Sequence, residues 1–209
     1  ATMSFTPLHQ VLFVDSRVQN IDQLLAAVDP AIEVIRIDAH ADGLVVMASA
    51  LMGREDLSAV HVISHGAPGS LLLGNSLIDQ AALTTHAQEL SAIRGALGEG
   101  ADLQLYGCNV AAGDAGEGFL AAIRDALGVD VAASTDLTGA RWLGGNWTLE
   151  FSLGAIDSPT LQLPAWQGDM AAPSIFGLDP ATYTEGNAAT IIDSSVTFSG
   201  GSAYGGGYV

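Results

Sequence analysis

The sequence predicts an α/β protein: a mainly parallel sheet flanked by helices, followed by the opening part of a β repeat. Three observations carry this. Short apolar runs alternate with segments of helical period from about residue 11 to residue 133. Each run stops at a turn-forming or reactive residue, as strands of a doubly covered sheet do. After about residue 140 the helical period is lost, and the last stretch is polar and rich in Thr, Ser and Gly.

The elements follow in order. Val11–Val14 is a continuous apolar run ending at Asp15-Ser16 and reads as a buried strand. Ile21, Leu24, Leu25 and Val28 recur at helical spacing, and Asp29-Pro30 stops that helix. Ile32–Ile37 is a second strand, nearer an edge because it carries Glu33 and Arg36. Asp42 is placed to cap a helix with Leu44, Met47, Ala48 and Leu51 on its inner face. A third strand covers about 59–64, and Leu71-Leu72-Leu73-Gly74 is a short hairpin element. One long helix is expected to present Leu83, His86, Leu90, Ile93 and Leu97 on one face. The next strand covers about 102–107. A helix from about Asp114 turns Phe119, Leu120, Ile123 and Leu127 inward and ends at Gly128, a C-cap glycine. Val129–Ala133 is a fifth strand, and Trp142–Phe151 reads as two short strands around a Gly-Gly-Asn turn. Three units are expected: an α/β domain over 1–166, a linker over 167–174, and a truncated β repeat over 175–209.

Composition narrows the partners. The chain has 209 residues, six Lys plus Arg, and a formal charge of −17. A basic patch cannot be assembled from so few cations, so nucleic acid and anionic membrane surfaces are excluded as expected partners. No apolar run approaches the roughly 18 residues of a membrane helix, so no membrane insertion is expected. Cys108 is the single cysteine, so an internal disulfide is ruled out.

The chemistry-bearing residues fall at strand ends. Val60-His61-Val62-Ile63-Ser64-His65-Gly66 and Leu103-Gln104-Leu105-Tyr106-Gly107-Cys108 are apolar runs that stop at a Gly beside a His or a Cys. If their strands are parallel neighbours, His65 and Cys108 emerge at one sheet edge, as a base and a nucleophile would. Asp15 and Ser134-Thr135-Asp136 end other strands on the same edge. His61 and His65, four apart on a strand, lie too far apart to chelate zinc as a helical pair does. With His40 and Asp42 a metal site is conceivable, but no metal is expected. Met47 and Met52 fit a helix core. Trp142, Trp147 and Trp166 fit sheet packing.

Ile63-Ser64-His65-Gly66 followed by Leu105-Tyr106-Gly107-Cys108 resembles the caspase-like cysteine peptidases, the group that includes gingipains, legumain, separase and self-cleaving domains of bacterial toxins. The likeness covers about residues 10–135 and implies a three-layer sandwich. More closely, Ser64-His65-Gly66, Leu105–Asn109 and Ala133–Asp136 resemble an uncharacterised, DUF4347-like domain at the front of large bacterial surface proteins with cadherin-like or immunoglobulin-like repeats. Tyr183-Thr184-Glu185-Gly186 resembles the start of such a repeat.

The resemblance implies a His65–Cys108 dyad, with the backbone N–H groups of Gly66 and Cys108 as oxyanion hole and no third carboxylate. It also makes Asp15 and Arg17 weak candidates for the substrate pocket, Asp15 favouring a basic side chain and Arg17 an acidic one. Ser134 and Asp136 are further weak candidates. The N-terminus of the helix after Cys108 would favour its thiolate, only a little because the loop Asn109–Gly113 intervenes, and an active thiol would react faster than a free one. The expected function is a cysteine endopeptidase that processes its own polypeptide, in the segment Gln167–Pro173, within an exported, cell-surface adhesin-like protein. No cofactor is required, and Asp179, Glu185 and Asp193 are conceivable calcium ligands between repeats. The competing expectations are a non-catalytic cap or secretion-related module with a relic dyad and, more remotely, a small-molecule hydrolase.

Overall fold

In the computed structural model, which describes residues 9–170 and the backbone of two short strands beyond them, the first apolar run forms β1 (Gln10–Asp15). It leads through α1 (Ile21–Ala26) to β2 (Glu33–Ile37), then through α2 (Gly43–Leu51) to β3 (Leu57–Ile63). A small antiparallel sheet follows, made of β4 (His65–Ala67), β5 (Ser70–Leu73) and β6 (Ser76–Ile78). The chain continues through α3 (Gln80–Thr85), α4 (Ala87–Ala96), β7 (Leu97–Tyr106), α5 (Gly113–Leu127), β8 (Asp130–Ala133) and β9 (Phe151–Leu153). The main sheet has the order β2-β1-β3-β7-β8-β9. All pairings are parallel except that of β9 with β8. The fold is therefore α/β, with a mainly parallel sheet flanked by helices.

Strand alternation divides the core in two. Val11 and Phe13 of β1, Val60 and Val62 of β3, and Leu103 and Leu105 of β7 face a cluster supplied by α2, α3, α4 and α5. Leu12, Val14, Ile63 and Tyr106 face the other cluster, which includes Leu24 of α1. That second face is closed mainly by 155–170, a strap without regular secondary structure that runs along β7.

The strap is held by polar side chains of β7 bonding to its backbone, because irregular chain brings unpaired peptide groups that burial would otherwise leave unsatisfied. Asp102 accepts from the N–H groups of Asp157 and Ser158 at 3.0 and 2.7 Å. Gln104 donates to Ser158 O at 3.0 Å, and the Tyr106 hydroxyl accepts from Leu161 N–H at 2.6 Å. The Trp166 indole donates to Gln19 O at 2.7 Å, and its ring meets Trp147 edge-on at 5.8 Å.

Several expectations are corrected. The long helix is two helices broken at His86 (φ −105°, ψ 33°), whose ring bonds Ala82 O at 2.9 Å and the Asp42 carboxylate at 3.1 Å. Leu97 opens β7 rather than closing the helix. The Trp142–Phe151 hairpin is absent: Arg141–Leu143 forms one 3-10 turn, and Asn146 N–H returns to Leu137 O at 2.9 Å. Trp142 is accordingly 69 % exposed, whereas Trp147 and Trp166 are buried. Gly128 does cap α5, in the left-handed conformation at φ 68°.

Three of the residues read as linker are not free. Gly168, Asp169 and Met170 pair with Thr138–Ala140, and Met170 is fully buried. The expected β repeat over 175–209 lies outside the described residues, apart from an antiparallel pair between β10 (Ser174–Phe176) and β11 (Thr197–Ser199). No helix among the described residues is long and apolar enough to cross a membrane.

Candidate functional site

β3 and β7 are adjacent and parallel, with Ile63 opposite Tyr106. His65 and Cys108 each follow two residues after that pair, so both leave the sheet at one carboxyl edge. Asp15 closes β1 and Ser134 follows β8, which places all four strand ends along the same edge. The chain then diverges: His65 opens β4, while Cys108 enters a loop whose next residue, Asn109, is left-handed at φ 59°.

The glycines beside the two residues let their backbones touch. A Cβ on Gly66 would lie 2.6 Å from Val110 Cγ2 and 2.9 Å from Cys108 O; one on Gly107 would lie 3.1 Å from Ser64 O. Only residues without a side chain allow this approach.

The end of the strap fills the space between them. Gly66 N–H and Cys108 N–H donate to one acceptor, the carbonyl oxygen of Met170, at 3.0 and 3.4 Å. Met170 N–H donates to Thr138 O at 3.0 Å, and Ala140 N–H to Gly168 O at 2.8 Å. The Cys108 thiol sits in the same place, donating to Thr138 O at 3.6 Å and accepting from Thr138 N–H at 3.3 Å.

Burial pushes the Cys108 thiol up to about 11, and the carboxylates of Asp169 and Asp136 push the same way; N–H groups of Thr138 and Met170 oppose them. The expected help from a helix N-terminus is outweighed, because α5 begins only at Gly113 and the sulfur is fully enclosed. His65 is 6 % exposed, and its Nδ1 is buried without a partner. His65 and Cys108 share no hydrogen bond in this covered arrangement.

The weaker candidates have partners of their own. Asp15 is fully buried and accepts from Arg17 Nε at 3.0 Å, Arg17 Nη2 at 2.9 Å and Gly74 N–H at 2.6 Å. Arg17 also donates to Gly74 O. The two charges neutralise one another, so neither is left to select an oppositely charged side chain. Ser134 and Asp136 brace the Cys108 loop: Asn109 N–H donates to Asp136 O at 2.7 Å and Ala111 N–H to Ser134 O at 2.9 Å. The Ser134 hydroxyl reaches Glu150 at 3.1 Å.

His61 points onto the strap face of β3 and bonds Gln10 at 2.9 Å. It does not share a strand with His65, which lies in β4. No group of three or more His, Cys, Asp or Glu that could hold a metal occurs among the described residues.

Sequence reasoning missed Thr138 and Met170. Both act through main-chain atoms, which leave no mark on residue type. The one available signal was the pair Gly139 and Gly168, each small where two backbones meet: a Cβ on Gly139 would lie 2.5 Å from Gly168 O.

Fold and site together define a parallel-sheet α/β protein that presents a histidine and a buried cysteine at the carboxyl edge of adjacent strands. The chain belongs to the family described as domain of unknown function DUF4347, whose model matches residues 11–169. No curated protein and no solved structure matches it.

Proposed function

We propose that the protein is a cysteine endopeptidase of the caspase-like kind, with Cys108 as nucleophile, His65 as proton carrier, and the Gly66 and Cys108 N–H groups as oxyanion hole. One observation carries the reading: those two N–H groups converge on a single peptide carbonyl, at 3.0 and 3.4 Å, beside the only thiol. Such a pair of donors stabilises the oxyanion of a tetrahedral intermediate, and losing one typically slows catalysis by about 10²–10³-fold. The neutral thiol passes its proton to the His65 ring before or during attack, and the ring returns it to the leaving amine. In the covered arrangement the thiol is protonated, so this is a resting state. Location at the cell surface of an adhesin-like protein rests on the family resemblance alone.

The test is labelling of Cys108 by a peptidyl acyloxymethyl ketone. It is made on the wild-type chain and on Gly139→Val, whose side chain would meet Gly168 and Asp169 of the strap. His65-dependent labelling is expected, lost in His65→Ala. Labelling that ignores His65, at a rate matching plain iodoacetamide, would overturn the peptidase reading.

A second reading has its own support. The enclosed thiol and its lack of a bond to His65 equally suit a non-catalytic module in which the dyad is a relic. The same labelling experiment separates the two.

A further inference from the structure

We infer that the strap holds the carbonyl group of its own Met170 beside Cys108 as a substrate bound in cis, which makes the bond from Met170 to Ala171 the one cut. This rests on the peptidase reading above and goes beyond it by naming the bond, the register and the kind of side chain accepted.

The register is set by main-chain hydrogen bonds. Gly168–Met170 lies antiparallel to Thr138–Ala140, with a bridge between Gly139 and Asp169. Ala140 N–H holds Gly168 O at 2.8 Å, and Met170 N–H is held by Thr138 O at 3.0 Å. An extended strand added in this way presents successive carbonyls at fixed positions. The one delivered between Gly66 N–H and Cys108 N–H belongs to Met170. Thr138 O receives both the Met170 N–H and the Cys108 thiol, so the sulfur lies alongside the same residue.

The side chain before the bond is also accounted for. Met170 is fully buried and belongs to the apolar cluster of Val14, Val18, Tyr106 and Trp166. Asp15 and Arg17 neutralise one another. The site therefore takes a peptide with an unbranched apolar residue before the cut. Gly139 is needed for the pairing, since a Cβ there would lie 2.7 Å from Asp169 Cα. Trp166, fully buried and bonded to Gln19, fixes the strap four residues upstream of Met170.

The step balances with water as co-reactant. Sγ forms a bond to the Met170 carbonyl carbon while its proton passes to His65. The resulting oxyanion is held by the two N–H groups. The Met170–Ala171 C–N bond then breaks, and His65 gives the proton to the Ala171 nitrogen, which leaves as an amine. Water adds to the Cys108–Met170 thioester. The C–S bond breaks, leaving a Met170 carboxylate and a free thiol.

The experiment incubates the full 209-residue chain under reducing conditions at several pH values from 7 to 9.5, followed by intact-mass analysis and N-terminal sequencing. The expected result is one cut, giving a fragment ending at Met170 and one beginning at Ala171. It should be lost in Cys108→Ala and His65→Ala. In Gly139→Val it should be slowed at least about tenfold, as expected when a reacting group is displaced.

A Cys108-dependent cut at any other bond overturns the inference and leaves the peptidase reading standing. A chain that stays whole also overturns it. In that case His65-dependent labelling of Gly139→Val by a Gln-Gly-Asp-Met acyloxymethyl ketone retains the dyad, whereas absence of labelling removes both.

Discussion

Replacing Gly139 by valine should uncover the thiol. Gly139 has φ +144°, where a side chain is strained, and a Cβ there would lie 2.5 Å from Gly168 O and 2.7 Å from Asp169 Cα. Both obstacles are strap backbone, so the strap must move. The strap residues Leu161, Leu163, Trp166 and Met170 belong to the buried cluster that holds Cys108, and burial is what raises the thiol. With a value about two units above the ordinary 9.0, the thiolate fraction at pH 7.5 is lower by about 100-fold. Wild-type Cys108 should then react with iodoacetamide at least about 100 times more slowly than a free thiol, and Gly139→Val should recover most of that factor. The assay is a time course of intact mass at pH 7.5, with circular dichroism and thermal unfolding to establish that the variant is folded. Gly144→Ala is the matched control: it strains the same loop at φ +90°, with no atom within 4 Å of the new Cβ. The reasoning is refuted if folded Gly139→Val and wild type react within about twofold of each other, or if wild type already reacts like a free thiol.

Other outcomes can be checked on the same protein. His61 is buried and held near 4, against 6.5 in the unfolded chain. Between those values the unfolded state binds the extra proton, so stability should fall as pH drops from about 6.5 to 4, by up to about 3 kcal/mol. Urea titrations at several pH values should show this loss, and His61→Leu should flatten it. Trp166→Ala removes the anchor of the strap and should cost about 3–5 kcal/mol by chemical denaturation, with Trp166→Phe costing less. Arg17→Met leaves the buried Asp15 carboxylate with the backbone N–H groups of residue 17 and Gly74 but without its guanidinium, and should lower stability by about 1.5–3 kcal/mol. Peptide-ketone preference at the position before the cut should be unaltered, because Arg17 faces Asp15 rather than the strap end.

The strands were legible because buried parallel strands leave unbroken apolar runs; their order across the sheet, β2-β1-β3-β7-β8-β9, was not, since apolar runs carry no record of which strand pairs with which. Val11–Val14 and Val60–Ile63 mark themselves, and each ends where the chain needs a turn. His65 and Cys108 were legible as a pair because both follow such runs at equal distance. The split of the long helix was not legible: His86 satisfies Ala82 O and Asp42 with its ring, and helical period alone carries no trace of that. Nor was the strap. Its apolar residues Leu161, Leu163 and Trp166 follow no single period, and it is fixed by Asp102, Gln104 and Tyr106 reaching its backbone. A polar residue inside an apolar strand signals that something irregular covers it. Gln104 and Tyr106 carried that signal without saying what the cover was.

The strap also constrains what a cut could achieve. Its anchors, at Asp157, Ser158, Leu161 and Trp166, all precede Met170. Breaking the Met170–Ala171 bond would leave every one of them in place. The new Met170 carboxylate would remain between Gly66 N–H and Cys108 N–H, and an anion accepts such bonds more strongly than a neutral carbonyl. The enzyme should therefore act once on itself and then stay blocked by its own product. In trans, the cut wild-type chain should turn over a fluorogenic Gln-Gly-Asp-Met peptide no faster than Cys108→Ala, while Trp166→Phe, with a loosened strap, should show turnover that Cys108→Ala in the same background abolishes. Rapid multiple turnover by the cut wild-type chain would show that the strap leaves on its own. The burial of Met170 would then be a property of the uncut chain only.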